Sequence, residues 1–221
     1  MASFLDHFTE YVGMSFARQL ALSDYLGECR WQVNTLEGVI RFENKGQYPI
    51  QILGSESDLV GTWLWAWANE MLIRDVKPDV LRDAQTMRRY GDQHSIEELT
   101  VAEFDLDGRA DGHMLSQLAV GVCNANCYYR GPYDEGASFF LLYDVPLDLL
   151  PIPVVRISTV ISEVTGVYPV DHQRMAHAFL TQQGFSISTQ DSEWLAKHED
   201  GREFRISFDS EQRIAEMNFQ V

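Results

Sequence analysis

The sequence predicts an α+β fold: an N-terminal helix packed on an antiparallel sheet, further helices, and a C-terminal α-β-β-β appendage. Three observations carry this. Apolar residues recur every four positions at the start of the chain, the period changes to two after Trp31, and a helical stretch followed by three alternating stretches closes it. With 221 residues, 45 % hydrophobic and 12 % aromatic, the chain has enough apolar material for a sizeable core. The prolines at 146, 151 and 153 suggest a division into a main unit, 1–150, and a C-terminal unit, 151–221.

The first helix follows from Phe4, Phe8, Val12, Phe16 and Leu20, flanked by Leu5 and Tyr11. Ser3 suits its N-cap and Gly27 its end. Residues 30–69 read as an antiparallel meander against that helix. Val39–Phe42 and Ile50–Leu53 form strands, with turn signals at Asn44-Lys45-Gly46 and Gly54-Ser55. Gly61 to Asn69 reads G-T-W-L-W-A-W-A-N, so three indoles would share one face of a strand, with apolar residues on the other. Pro78 opens a helix through Val80, Leu81, Ala84, Met87 and Arg88, with Gly91 as its stop. A third helix runs from about Asp111 to Cys123, and Phe139–Tyr143 is a buried strand. In the C-terminal unit, helices cover Val154–Val164 and His172–Gln183, the second ended by Gly184. Strands follow at Phe185–Gln190, Trp194–His198 and Glu203–Phe208, then a last alternating run from Ile214. Asp200-Gly201 marks the hairpin between the second and third of them.

Charge narrows the partners. Seventeen Lys and Arg against 33 Asp and Glu give a net charge of -16, which repels phosphate backbones and anionic lipid, so neither nucleic acid nor membrane is expected as a partner. There is no apolar run long enough to span a bilayer. Three cysteines, at 29, 123 and 127, do not make a disulfide framework and suit a reducing compartment. With no secretory leader in view, the expected location is cytoplasmic.

No dinucleotide, phosphate-loop, serine-elbow or zinc-protease motif is present. Asp105 to Gly112 fails as a calcium loop in both registers, because Arg109 falls where an oxygen ligand belongs. Cys123 and Cys127, four apart, would share a helix face and could hold half a zinc site, but neither His94 nor His113 is spaced to complete it. No metal, cofactor or catalytic residue is therefore assigned. The informative constellation is aromatic: Trp63, Trp65, Trp67 and Asn69 in one cluster, Tyr129, Arg130 and Tyr133 in the Y-Y-R-G-P-Y of Tyr128–Tyr133 in the other. These seven are the candidate ligand-binding residues of a ring-lined pocket with Arg130 and Asn69 as polar anchors. The competing reading is a core strand with tyrosines covering a Gly-Pro turn.

At these two motifs, with Gln51-Ile52-Leu53-Gly54 before the first, the chain resembles a bacterial family of unknown function (domain of unknown function 6882-like) over about residues 1–145. The resemblance implies no activity and lends no catalytic residue. What the residues favour is a non-catalytic binding or interaction protein whose partner is a basic protein or a small ligand, in the manner of an acidic immunity-like protein covering a basic toxin. The alternative is a small-molecule hydrolase using Glu70, Asp134 and Glu135 as acid and base. A homo-oligomer joined through an aromatic strand face is a third reading.

Overall fold

A computed structural model describes residues 2–106, 108, 110–147, 152–190 and 193–220. Helix α1 (Phe4–Leu26) begins where expected. The Ser3 side chain accepts the Asp6 N–H while the Asp6 carboxylate accepts the Ser3 N–H, a reciprocal capping box. Gly27 ends it with φ +57°. Phe4, Phe8 and Val12 are buried along the predicted stripe.

Four strands follow in meander order: β1 (Trp31–Asn34), β2 (Val39–Phe42), β3 (Gly46–Ser57) and β4 (Thr62–Trp65). Gly54 and Ser55 do not turn the chain; they lie inside the 12-residue β3. The reason is tertiary. β3 pairs β2 through Gly46–Pro49 and β4 through Gly54–Ser57, while its other edge pairs β7 (Gly136–Leu142) from Ile50 to Ser57, with a bulge at Leu53. β6 (Cys127–Tyr133) flanks β7, and β5 (Glu103–Asp105) flanks β4. The Y-Y-R-G-P-Y element is therefore strand and not a Gly-Pro turn; the turn comes at Asp134-Glu135.

The Trp strand is shorter than its alternation predicts. β4 has partners for four residues only, and beyond Trp65 the chain enters a 3-10 turn at Ala66–Ala68, then helix α2 (Glu70–Asp75). The Pro78 helix starts as a 3-10 turn, Pro78–Leu81, and continues as α3 (Arg82–His94). Gly91 does not stop it. A side chain there would press on Leu99 and Thr100 of the short helix α4 (Glu97–Thr100), so this glycine serves close packing, and left-handed Ser95 ends the helix. α5 (Gly112–Val122) is capped by Asp111, whose side chain accepts the Met114 N–H.

α1 reaches the sheet at β6, where Gln19 Oε1 accepts the Tyr128 N–H at 2.9 Å. It also packs on α5 and on the two C-terminal helices, α6 (Val154–Val167) and α7 (His172–Gln182). β8 (Ser186–Gln190), β9 (Glu193–Lys197), β10 (Glu203–Phe208) and β11 (Ile214–Gln220) form a separate four-stranded antiparallel sheet in sequence order. Among the described residues no helix is long and apolar enough to cross a membrane.

Candidate functional site

Trp63 and Trp65 point inward from β4 and are wholly buried, edge to face at 5.3 Å, with Trp63 against Phe139 at 5.4 Å. A β-carbon on Gly54 would come within 2.3 Å of the Trp63 ring, so the glycine makes room for the indole. Trp65 Nε1 donates to the Glu98 carbonyl at 2.9 Å. These two rings organise the interior. Trp67 has left the strand, and its half-buried ring lies under the Arg88 guanidinium, 4.4 Å from the ring centre. Asn69 caps α2, its Oδ1 accepting the N–H groups of Met71 and Leu72 at 3.1 and 3.2 Å.

β6 distributes the second motif by its two-residue period. Tyr128 is buried, bonded through its hydroxyl to His113 Nδ1 at 2.8 Å, and burial pushes its ionisation upward. Tyr129 lies against Trp31 at 5.4 Å and Phe42 at 5.0 Å, so the β1–β2 hairpin lies over β6. Gly131 permits this: a β-carbon there would sit 2.9 Å from Phe140 and 3.0 Å from the Trp31 ring. Tyr133 is half exposed, and its hydroxyl donates to the Glu56 carbonyl at 3.1 Å.

The seven candidate residues thus separate. Asn69 and Tyr133 meet in a cleft of about 230 Å³ between α2 and the sheet, floored by Ser55, Ser138 and Phe140 and walled by Leu72. Tyr129 and Arg130 line a different cleft, about 300 Å³, between β6 and the C-terminal half of α1, together with Gln19, Ser23 and His113. Trp63 and Trp65 line neither of these clefts. Sequence reasoning passed over Ser55 and Ser138, which are cross-strand partners 83 positions apart and become neighbours only through β3–β7 pairing. His113, weighed in the sequence only as a partner for the cysteines, is not joined there to the tyrosines; its seat in the first turn after the Asp111 cap is the available signal.

The paired-cysteine idea is corrected by the local backbone. Cys123 is the C-cap of α5, Asn124 is left-handed and Cys127 opens β6, so the two never share a helix face. Burial pushes both thiols up to about 12. Among the described residues no group of three His, Cys, Asp or Glu is placed to hold a metal. Glu70, Asp134 and Glu135 are exposed, and none lines the α2 cleft.

A family model described as a family of unknown function (DUF6882) matches residues 5–146, a span that contains both clefts. No curated protein and no solved structure matches the chain.

Proposed function

The chain belongs to this family of unknown function through residues 5–146, and from that premise we propose that it is a non-catalytic binding protein whose α2 cleft receives a side chain of a basic protein partner. The observation that carries the reading is the cleft itself. Its lining joins apolar Ile52, Leu72 and Phe140 to the neutral polar groups of Ser55, Asn69 and Ser138, with no histidine, cysteine or carboxylate. Such a lining binds and orients; it offers no acid–base pair. At about 230 Å³ it is smaller than the ~300–1,000 Å³ of drug-sized sites, so one side chain fits better than a whole cofactor.

The surroundings favour a protein surface. Met71 and Ile73 of α2 are 66 and 53 % exposed, and Leu36 and Tyr133 are open as well. The neighbouring turns carry exposed Asp58, Asp134 and Glu135, and Glu70 stands beside Asn69. With a net charge of -16 this field steers a cationic partner inward and repels an acidic one. An acidic protein that neutralises a basic toxin or nuclease is one form of this reading. A reducing cytoplasm is proposed with it, supported by three free cysteines.

The test is titration of a lysine-rich peptide carrying one central phenylalanine, followed by backbone amide shifts. The expected outcome is saturable shifts at Ser55, Asn69 and Ser138, lost in Tyr133→Ala and weakened as ionic strength rises. Shifts that map elsewhere, or affinity indifferent to salt, would overturn the reading. Light scattering of the free protein checks the competing oligomer: a stable dimer that covers α2 would occupy the same face.

A further inference from the structure

The structure points to a second binding site that the partner reading does not use, and we propose that the cleft between α1 and β6 binds a small carboxylate with an apolar body through Arg130. Hydrogen-bond donors without internal partners converge there. Among the described residues Arg130 forms no ion pair and no side-chain hydrogen bond, although the chain carries 33 acidic residues. Gln19 uses its Oε1 on the Tyr128 N–H, which leaves its amide N–H₂ as a donor. His113 uses Nδ1 on the Tyr128 hydroxyl, which leaves Nε2. Ser23 adds a hydroxyl on the same lining.

The backbone adds another donor. β6 is the edge strand of its sheet, and the Tyr128 N–H leaves the sheet to reach Gln19. In an antiparallel ladder the direction of N–H groups repeats every second residue, so the Arg130 N–H faces off the same edge. A guanidinium and a main-chain N–H from one residue, with the Gln19 amide, the Ser23 hydroxyl and His113 Nε2 beside them, suit an oxyanion.

No carboxylate lines this cleft, and Asp24, adjacent to Ser23, is ion-paired with Arg156. Arg130 therefore puts a cation on the lining of this cleft in an otherwise acidic molecule. Leu22 and Leu26 of α1 supply an apolar wall. That wall selects a carboxylate attached to an aromatic or short aliphatic group over a fully hydrated phosphate. The volume of about 300 Å³ suits a ligand at the small end of the usual range.

Benzoate and inorganic phosphate serve as probes, titrated separately into the full chain at constant ionic strength while amide and side-chain resonances are followed. Saturable benzoate shifts centred on Arg130, Gln19 and His113 are expected. Arg130→Gln should weaken benzoate at least about tenfold, since a charge-assisted contact is lost, and Arg130→Lys should recover part of it. Arg205→Gln, which removes an exposed cation from the C-terminal sheet, should leave binding unchanged. Phosphate saturating where benzoate does not would overturn the assignment to a carboxylate. Failure of both probes to saturate, or unaltered benzoate affinity in a folded Arg130→Gln variant, would overturn the site.

Discussion

Trp65 combines complete burial with one satisfied donor, the 2.9 Å bond to the Glu98 carbonyl. Trp65→Ala should cost about 3–5 kcal/mol in urea denaturation, from lost burial and the cavity left behind. Trp65→Phe keeps much of the packing and should cost less, about 1–3 kcal/mol, because the carbonyl then lacks its partner. Equal losses in the two variants would mean that the ring packing Phe retains contributes nothing and that the lost hydrogen bond accounts for the whole effect. The cysteines give a second expectation. Cys123 and Cys127 are held as thiols by burial, with pKa values raised to about 12, whereas Cys29 is partly open on the groove beside β1. A thiol reagent at pH 8 should therefore label one cysteine quickly in the native protein and all three only after unfolding. At this scale the candidate residues were half legible. Indoles at alternate positions signalled a buried strand face, yet nothing local distinguishes Trp67, whose environment is made by Arg88 from another helix.

The start of α1 was legible from its local cap, whereas Asn69, an equally local cap, reads in the sequence as a ligand anchor and α3 runs past Gly91 to Ser95. Ser3 announces α1, and the structure adds the reciprocal Asp6 carboxylate and Arg174 of α7, whose Nη1 lies 2.7 Å from that carboxylate. The Ser3 N–H and hydroxyl, then Arg174, hold the Asp6 pKa down from 3.8 to about 2. A depressed carboxylate stabilises the fold above its ordinary pKa, and that contribution disappears as pH falls through the folded value. Between about pH 4 and pH 2 the melting temperature of Asp6→Asn should consequently fall less steeply than that of the parent; parallel slopes would rule out this linkage. Asn69 is the corresponding device for α2, and Asn69→Ala should cost about 0.5–2 kcal/mol if that helix melts with the whole, read by denaturant titration. Gly54-Ser55 shows where element reading fails. The same dipeptide suits a turn, but β7 and β4 hold it extended from both edges, and the Trp63 ring needs the missing side chain.

α1 forms the junction of the molecule. One side meets α5, where Ser15 donates to the Gln117 carbonyl at 2.7 Å, and another meets the C-terminal helices. Phe8 packs on Tyr168 at 5.0 Å, and a β-carbon on Gly13 would fall 2.7 Å from Phe179. A chain ended at residue 147 would bare that face, so it should bind a hydrophobic dye and melt without a cooperative transition; a sharp melt with no dye binding would show that the first 147 residues fold alone. By itself the amino-acid order determined the α+β class, most helices, the meander, the acidic surface and membership of a family that matches residues 5–146. Those properties rest on periodicity, capping and composition, which act over a few residues or over the whole chain at once. Tertiary structure alone decided that the seven candidate residues divide between the core, a helix cap and two clefts. A cleft is made by pairing residues distant in sequence, such as Ser55 with Ser138 or Gln19 with Tyr128, and no local pattern encodes which distant partner will arrive.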